Sequence, residues 1–454
     1  MLQRVANTLL AAVTLGLSVT GCSRSPAEAA DVLDPYLADP KLVLTTWASG
    51  LGAARQLAIA SNGDVFVNHG KVSVLWDADH DGLSREDERA VFAEAPALNH
   101  GLAFDRAERF VYASSDSTVY RFAYQKGLHK ARAAAEVVVR DIPAAGHSTR
   151  TLAFDSKGRL YVSVGSAGNV DVRPEDLRLR SQIRRFPIPA ALPKGGLAYE
   201  SGEVIASGMR NEVGLFVTPD DRLWGVENGR DNLKDAELGG DIHTDNPGEK
   251  INSIDPEKPR FFGYPACFSE HKLAAGRGAG THWADDSLPP ELRKTDSACQ
   301  DEAQVQSPAF VMPAHWAPLG VLQYSGDLLP YRGDLLITAH GSWNRSPAVG
   351  RLIARAQLQA GKVTAVTPLI AERGKGGAHA EGTWGVRPVD VREAADGSVF
   401  VTDDMGGRIL RIARRGDNTR PPTYDFATTW GSVQALDGSP AVNVRFFAAE
   451  RLRA

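Results

Sequence analysis

The sequence predicts an all-β protein, a six-bladed β-propeller built from four-stranded antiparallel blades with long loops on its top face. The first observation is that short runs of alternating apolar residues are separated by Gly, Asp and Asn turns. The second is that no amphipathic segment is long enough to predict a substantial helix. The third is a recurring phrase: an apolar strand that ends near Asp, a turn, and a second strand that contains an aromatic residue.

This phrase occurs six times. The copies begin at Leu57, Leu102, Leu152, Val213, Leu319 and Val389. Their spacing exceeds the length of four short strands, so the excess is expected in loops. Because a propeller closes into a ring without a long unpaired edge, residues 41–454 are predicted to form one domain. A pair of β-sandwiches is the alternative.

The N-terminus predicts export. Residues 1–21 are typical of a lipoprotein signal peptide, in which Arg4 precedes an uncharged run over 8–17 that is too short to span a bilayer. The run leads to a Val-Thr-Gly-Cys sequence that ends at Cys22, the pattern that precedes a lipidated cysteine. The alternative is an ordinary signal peptide cut near 27–30, with Cys22 removed. Either interpretation places the protein outside the cytoplasm; lipidation predicts the periplasmic side of a bacterial envelope, with membrane contact through the lipid alone.

Composition limits the classes of partner. With 51 Lys and Arg against 55 Asp and Glu, the net charge is -4, so nucleic-acid binding is not expected. Residues 22–40 lack apolar periodicity and are predicted to be a lipidated N-terminus and tether. Cys267 and Cys299 bracket a polar, Gly-rich insertion over 267–299, and in an exported chain this favours a disulfide. Two buried thiols are the alternative.

The segment 77–88 has the spacing of a Ca²⁺-binding loop. Carboxylates stand at loop positions 1, 3, 5 and 12, glycine at position 6, and a main-chain carbonyl is expected at position 7. The predicted ligands are Asp77, Asp79, Asp81, the carbonyl of Leu83, and Glu88. Since the segment follows a predicted strand over 72–76 and no helix pair surrounds it, we expect a structural Ca²⁺ site that orders a loop. The alternative is a solvated acidic turn.

Polar residues recur just before the first strand of successive blades. They are Asn99-His100, His147-Ser148-Thr149-Arg150, Arg210-Asn211, His315-Trp316 and Arg387-Pro388. In a propeller such positions converge on the central channel at the top face. His, Arg and Asn side chains there predict a site for a small anionic or polyhydroxylated ligand, whereas ordinary polar strand ends are the alternative.

Several of these segments resemble the soluble pyrroloquinoline quinone (PQQ)-dependent glucose and sorbosone dehydrogenases, and the resemblance covers nearly the whole mature chain. The most specific segments are His-Gly-Ser-Trp-Asn-Arg at 340–345 and His-Trp-Ala-Pro-Leu-Gly at 315–320. The resemblance implies an enzyme that binds PQQ and Ca²⁺ and oxidises a sugar by hydride transfer to the quinone.

The resemblance also implies residue roles. PQQ has three carboxylates, so its site needs cationic groups, together with a divalent cation and a base for the substrate hydroxyl. His147 would be the base, and the carbonyls of Gly229 and Arg230 would ligate the catalytic Ca²⁺. The implied cofactor-binding residues are Arg210, Asn211, His315, His340 or Arg345, and Arg387.

The chain departs from the family pattern beside the base. Glucose-oxidising relatives have acidic residues where this sequence has Gly146 and Ser166. We therefore expect His147 to lack an orienting carboxylate, with a pKa near the reference value of about 6.5 and a less fixed tautomer.

Three functions agree with the sequence. The first is a PQQ- and Ca²⁺-dependent oxidoreductase that acts on an aldose, a sorbosone-like aldehyde or a polyol. Its electrons would pass to a separate periplasmic acceptor, a quinone or a cytochrome, because the sequence has no Cys-x-x-Cys-His haem motif. The second is a Ca²⁺-dependent lactonase-like hydrolase, which requires acidic side chains at the channel positions. The third is a non-catalytic envelope propeller that binds a saccharide or a protein.

Overall fold

A computed structural model describes residues 33–415 together with the backbone of 428–433 and 442–447. Within the described residues, six antiparallel sheets follow one another around a ring, and the inner strands of neighbouring blades are in contact. The predicted six-bladed β-propeller is confirmed. The predicted signal peptide over 1–21, the lipidation site Cys22 and most of the predicted tether lie outside the described residues.

The described part of the chain begins with two strands that belong to the last two blades, and then forms blades 1 to 3 in order, each from its inner strand outward. The first two strands are β1 (Pro35–Leu37) and β2 (Leu42–Ala48). Blade 1 contains β3 (Leu57–Ile59), β4 (Val65–Asn68), β5 (Val72–Leu75) and β6 (Arg89–Ala93). Blade 2 contains β7 (Leu98–Phe104), β8 (Phe110–Ser115), β9 (Val119–Ala123), β10 (Glu136–Arg140) and the short edge strand β14 (Leu197–Ala198). Blade 3 contains β11 (Leu152–Phe154), β12 (Arg159–Val164), β13 (Gln182–Pro187), β15 (Glu203–Ser207) and β21 (Arg260–Phe261).

Blades 4 to 6 follow the same inner-to-outer order. Blade 4 contains β16 (Glu212–Val217), β17 (Leu223–Glu227), β20 (Glu249–Ile254) and β24 (Phe310–Met312). Blade 5 contains β25 (Pro318–Gln323), β26 (Leu335–Ala339), β27 (Leu352–Gln359) and β28 (Lys362–Arg373), and both β1 and β29 (His379–Ala380) pair with β28. Blade 6 contains β30 (Pro388–Glu393), β31 (Val399–Asp403) and β32 (Arg408–Arg414), with β2 as its outermost strand.

The remaining elements are short. Among the residues that the structure describes, three two-stranded hairpins are formed by β18 (Lys234–Asp235) with β19 (Gly240–Asp241), β22 (Cys267–Ser269) with β23 (His282–Ala284), and β33 (Thr428–Val433) with β34 (Val442–Phe447). The α-helices are α1 (Pro174–Leu179) and α2 (Asp296–Cys299), and single 3₁₀ turns cover Glu86–Glu88, Tyr199–Ser201, Pro290–Leu292 and Lys375–Gly377. In the described part of the chain, no helix has the length and apolar character needed to cross a membrane.

Each copy of the repeated phrase forms the two inner strands of one blade, and in blades 2 and 3 its aspartate shapes the turn between them. Asp105 accepts hydrogen bonds from the main-chain N of Arg109 (2.6 Å) and of Phe110 (2.9 Å). Asp155 accepts one from the N of Arg159 at 2.8 Å in blade 3. A short carboxylate side chain can thus satisfy the turn amides that the strands leave unpaired. This is why an aspartate recurs in the pattern.

The hydrophobic core lies between the facing sheets of neighbouring blades. The fully buried ring of Phe66 in blade 1 contacts Phe92 of its own blade and Phe104 of blade 2, each at a centroid distance of 5.1 Å and nearly edge-on. Tyr124 completes this group at 5.4 Å from Phe66. Edge-to-face contacts of this kind stabilise the packing of one twisted sheet on the next.

The ring is closed by a strand from the other end of the chain. β2 pairs with β32 from Leu42 opposite Arg414 to Ala48 opposite Ile409. The preceding β1 pairs with β28 of blade 5, so the prediction of a tether over 22–40 is wrong for residues 35–37. A three-residue strand is too short to show periodicity in the sequence.

The predicted disulfide between Cys267 and Cys299 is confirmed. Cys267 begins β22, and Cys299 ends α2, so the bond closes the base of the insertion that connects β20 to β24 in blade 4. Both cysteines are buried in a small apolar cluster with Leu288 and Val305.

Candidate active site

Two sets of loops lie on the top face. In each blade the first two strands are antiparallel, so the start of the inner strand and the end of the second strand lie at the same end of the sheet. Residues before the inner strands therefore meet residues after the second strands. The candidate active site is built from both sets, mainly in blades 3, 4 and 6.

His147 lies in the loop before β11, and Ser166, just after β12, fixes its ring. His147 Nδ1 is 2.9 Å from Ser166 Oγ and 3.1 Å from the Ser166 carbonyl oxygen. The carbonyl can only accept a hydrogen bond. The Ser166 hydroxyl donates its hydrogen to the Gly168 carbonyl at 2.6 Å, so it also accepts from Nδ1. His147 is therefore the Nδ1–H tautomer, and its Nε2 retains the lone pair of a base.

The expectation of a poorly oriented base with an ordinary pKa is wrong. Ser166 orients the ring, and burial, followed by the positive charge of Arg210, lowers the pKa of His147 to about 4. The sequence showed the absence of a carboxylate at position 166, but the conformation that turns the Ser166 hydroxyl and carbonyl toward one ring nitrogen depends on the folded loop.

The loop that contains His147 is held by two buried arginines. The guanidinium of Arg150, which is fully buried, donates to the carbonyl oxygens of Asp116, Pro143, His147 and Thr149 at 2.6–2.9 Å. Arg180 donates to the carbonyls of Ala144 and Ala145. Burial, with the nearby charge of Arg180, lowers the pKa of Arg150 to about 10. The two cations keep the loop rigid and its surroundings positive.

Arg210 and Asn211, which the resemblance assigns to cofactor binding, lie beside His147. The Arg210 guanidinium bonds the Asn169 side chain and the Asp231 carboxylate, each at 3.0 Å. Asn211 packs on Gly165. A Cβ at Gly165 would overlap the Asn211 side-chain oxygen and lie 2.8 Å from His147 Cβ, so only glycine permits this close approach.

The loop of Gly229 and Arg230 was predicted to bind Ca²⁺ through its carbonyls. In the structure the Gly229 carbonyl accepts a hydrogen bond from Arg210 Nη1 at 2.6 Å. A predicted Ca²⁺ ligand and a predicted cofactor-binding residue are therefore bonded to each other. The Gly229 N–H donates to the buried carboxyl of Glu249 at 2.7 Å, and burial raises the pKa of Glu249 to about 7. Arg230 pairs with Asp285 through its side chain.

A second cationic group lies around Asp404, which directly follows β31. Asp404 is bonded by Arg55 (2.8 Å), His340 (3.0 Å) and Arg387 (2.6 Å). Burial alone would raise the pKa of Asp404, but the hydrogen bonds and charges of His340, Arg387 and Arg55 outweigh it and hold the pKa well below its usual range. The sequence predicted His340 and Arg387 for the site.

Sequence reasoning missed Arg55, Asp404, Asn169 and Asp231. Arg55 stands just before the inner strand of blade 1, which is the same position that identified His147, Arg210 and Arg387 in other blades. Applying that rule to the first repeat would have found it. Asp404 and Asp231 follow second strands, a position for which no rule was available.

Other predicted residues are bonded elsewhere. His315 Nε2 lies 2.5 Å from the His243 carbonyl oxygen, and Arg345 bonds the Thr244 carbonyl (2.8 Å) and the Asp245 carboxylate (3.0 Å). Both side chains therefore hold the 243–245 loop. His100 is buried in the channel wall, with Nε2 3.1 Å from Thr151 Oγ1.

The predicted Ca²⁺ loop over 77–88 joins β5 to β6 at the outer edge of blade 1. Carboxylate oxygens of Asp77, Asp79 and Asp81 lie within 4.8 Å of one another. Glu88 instead accepts from the main-chain N–H groups of Ala78 (2.7 Å) and Arg85 (3.1 Å). Leu83 contributes its N–H to Asp81 at 3.0 Å, and its carbonyl is the atom predicted as a ligand.

The fold and this geometry define a class: a six-bladed β-propeller whose top face places a neutral, oriented histidine among arginines. A family model described as TrAA12-like matches residues 38–415, and the chain belongs to this family.

The chain is similar to a PQQ-dependent pyranose dehydrogenase of Coprinopsis cinerea, with 28% identity over 395 residues. The match covers 80% of this chain and 53% of that protein, so the chain spans about half the length of this curated relative. Among solved structures, the holo form of the PQQ domain of the pyranose dehydrogenase from the same fungus has a TM-score of 0.73 and 26% identity, covering 84% of this chain and 97% of that domain. A calcium structure of a Trichoderma reesei enzyme of carbohydrate-active family AA12 has the same TM-score, identity and coverage.

Proposed function

We propose that the chain is a PQQ- and Ca²⁺-dependent sugar dehydrogenase that oxidises an aldose, a sorbosone-like aldehyde or a polyol. The observation that supports this most strongly is His147, whose Nε2 lone pair is available near the guanidinium of Arg210. Arg55 and Arg387 form a second cationic group around Asp404. Membership of the TrAA12-like family and the PQQ-dependent relatives support the same function.

The residues of the site fit PQQ. Its three carboxylates require guanidinium groups, and the top face has three: Arg210 beside Asp231, and Arg55 and Arg387 around Asp404. Next to them, Asn344 donates to Asp231 at 3.1 Å, whereas its side-chain oxygen and Arg230 Nε are buried and have no partner among the residues that the structure describes. Unsatisfied polar atoms of this kind indicate a polar ligand.

Different residues of the chain would carry different parts of the oxidation. PQQ, when bound, supplies an electrophilic carbonyl that accepts a hydride. His147 Nε2 takes the proton of the sugar hydroxyl, and the bonds from its Nδ1–H to Ser166 orient the ring and stabilise the charge that it gains. Arg210, Arg387 and Arg55 would bind the anionic groups. Burial, with the charges of Arg210, Arg150 and Arg180, keeps His147 neutral before the reaction.

Two Ca²⁺ sites are part of the proposal. At the top face, the carbonyls of Gly229 and Arg230 are hard oxygen ligands of the kind that Ca²⁺ takes. On binding Ca²⁺, the Gly229 carbonyl would either lose its hydrogen bond from Arg210 or contact the cation and Arg210 together. At the outer edge of blade 1, the three convergent carboxylates of the 77–88 loop support a structural site.

A rim residue supports a sugar as the substrate. Trp343 follows His340 in the loop after β26, and its side chain is 76% exposed. An exposed indole beside a polar site is suited to pack on the apolar face of a sugar ring. Carboxylates near the site, such as Asp404 and Asp231, are paired with arginines, which favours this proposal over a hydrolase that holds its metal through side-chain carboxylates.

The proposed location is the periplasmic side of a bacterial envelope, with a lipid at Cys22 as the membrane anchor. The signal-peptide pattern over 1–21 supports it. Because the sequence has only three cysteines and no haem-attachment motif, electrons would pass to a separate acceptor, a quinone or a cytochrome.

The test combines cofactor binding with turnover. The purified protein is loaded with PQQ and Ca²⁺, binding is followed by absorbance, and dye reduction is assayed against aldoses and polyols. His147→Ala should abolish turnover and retain PQQ, whereas Arg210→Ala should weaken PQQ binding. Arg222→Ala, an exposed arginine in the turn between β16 and β17, is the matched control and should match the unmodified protein. Absence of PQQ binding to the folded, unmodified protein would refute the proposal.

A further inference from the structure

The His147 ring is held by a short segment that begins at Ser166, with no carboxylate in contact with the ring. Both acceptors of the Nδ1–H group belong to Ser166, and the main-chain N–H of His147 also donates to the Ser166 carbonyl at 3.0 Å. The Ser166 hydroxyl turns back onto the Gly168 carbonyl. The three-residue segment 166–168 therefore determines where the imidazole points.

The carboxylate of Asp171 contacts this segment. Asp171 is buried, with an exposed fraction of 3%, and its two oxygens accept from the N–H groups of Ala167 and Gly168, each at 3.0 Å. The position of Asp171 is itself fixed, because its own N–H donates to the Tyr264 hydroxyl at 2.7 Å.

One peptide group connects the carboxylate to the histidine. The carbonyl that accepts from His147 Nδ1 and the N–H that donates to Asp171 belong to the same peptide unit, between Ser166 and Ala167. A hydrogen bond at the N–H of a peptide polarises its carbonyl and strengthens the bond that the carbonyl accepts. Asp171 can therefore act on His147 at a distance of one peptide unit.

We propose that Ser166 and Asp171 are positioning residues for the base: the Asp171 carboxylate, through the peptide 166–167, and the Ser166 hydroxyl together hold His147 in its Nδ1–H tautomer. The inference rests on the proposed function only in taking His147 as the base. Other charged or titratable groups around His147 are the guanidinium groups of Arg150, Arg180 and Arg210 and the hydroxyl of Tyr264. None of these is a carboxylate acceptor for Nδ1.

The test measures His147 in the PQQ-free protein. Nitrogen-15 NMR of histidine-labelled protein reports both the tautomer and the titration of each imidazole, and His147→Gln assigns the signal among the 11 histidines. We expect the Nδ1–H form in the unmodified protein. Ser166→Ala and Asp171→Asn should shift the population toward Nε2–H, and Ser166→Thr should restore it. Ser166→Asp should move the titration midpoint upward by about 1 to 3 pH units, because a carboxylate then contacts the ring directly.

The control is Glu175→Gln, an exposed carboxylate at the start of α1, and it should leave the tautomer unchanged. In PQQ-loaded protein, Ser166→Ala and Asp171→Asn should each lower kcat by about tenfold with little change in KM, as for loss of orientation of a base. An unchanged tautomer in Ser166→Ala and Asp171→Asn, or an unchanged midpoint in Ser166→Asp, would overturn the inference. If Asp171→Asn does not fold, the Ser166→Ala, Ser166→Thr and Ser166→Asp variants test the inference. Failure to bind PQQ would refute the proposed function and leave the NMR result valid.

Discussion

His147 obtains its properties as a base from its neighbours. Desolvation penalises the imidazolium, and Arg210, Arg150 and Arg180 add positive charge on several sides, so the pKa falls to about 4. The same surroundings that keep the ring neutral also orient it, through Ser166. A base of this kind is unprotonated over the whole neutral pH range, but it binds a proton weakly. The cofactor must therefore accept the hydride efficiently for the proton to leave the sugar hydroxyl.

The pKa of His147 predicts the acid limb of the pH profile. The neutral form is the active one, and it predominates above pH 4, so kcat/KM should be constant from neutral pH to about pH 5 and fall only below that. The measurement is kcat/KM against pH with a dye acceptor, and circular dichroism at each pH serves as the control for folding. A limb centred near 6.5, the ordinary pKa of histidine, would contradict the low value.

At the scale of elements, the 77–88 loop connects blade 1 to the strand that closes the ring. Ser84 N–H donates to the Trp47 carbonyl at 2.8 Å, and Arg89, at the start of β6, donates to the Ser49 carbonyl at 2.6 Å. Trp47 belongs to β2, and Ser49 follows its last residue. A cation that orders this loop would therefore stabilise the closure as well as the loop itself.

Calcium should raise the thermal stability of the PQQ-free protein through this loop. At a concentration 100 times Kd, a ligand that binds only the folded state adds about 2.7 kcal/mol to the free energy of unfolding. Asp79→Ala should remove most of the Ca²⁺-dependent increase in Tm, measured by calorimetry with and without chelator. Asp286→Ala, an exposed carboxylate outside the loop, is the matched control and should keep the increase. An equal increase in Asp79→Ala would contradict a site in this loop.

The disulfide stabilises the insertion of blade 4 by restricting its unfolded state. Cys267 and Cys299 are 32 positions apart, which corresponds to about 3–4 kcal/mol in the chain-entropy description. The double variant Cys267→Ser with Cys299→Ser should lose this stability locally and be cut faster by protease in the Gly-rich segment between β22 and β23. Reductant should reproduce the effect in the unmodified protein and add nothing to the double variant. Equal cleavage rates would show that apolar packing alone holds the insertion.

At the scale of the whole molecule, closure joins residues that are far apart in the chain. β2 forms the outer strand of blade 6 although more than three hundred residues separate it from β32. The buried ring of Trp47 packs edge-on against Phe400, with centroids 4.8 Å apart, and joins the two segments. The ring depends on this contact because neither segment can complete blade 6 alone.

Trp47→Ala should weaken the closure. Removing a buried tryptophan costs about 3–5 kcal/mol, because the lost burial and the remaining cavity both destabilise the folded state. The measurement is the free energy of unfolding from denaturant titration. Trp343→Ala is a matched control, since this exposed tryptophan should change stability by less than about 0.5 kcal/mol. Similar losses in both variants would contradict the role of Trp47.

Local sequence patterns were sufficient for the blades and for part of the site. The repeated phrase predicted the inner strands of all six blades, because strand alternation and an aspartate turn depend on residues close in sequence. The rule for residues before inner strands found His147, Arg210 and Arg387. The rule also named His315, and the resemblance named Arg345. Neither showed that these side chains bond to the 243–245 loop, since that loop comes from a different blade.

The sequence by itself determined the fold class, the number of blades, the disulfide and the residue types on the top face. Each of these follows from periodicity, turn chemistry or composition. Only the tertiary structure decided that Ser166 orients His147, that Asp404 joins Arg55, His340 and Arg387, and that β1 extends blade 5. The physical reason is that these contacts join residues from different loops and blades, and their geometry exists only once the ring has closed.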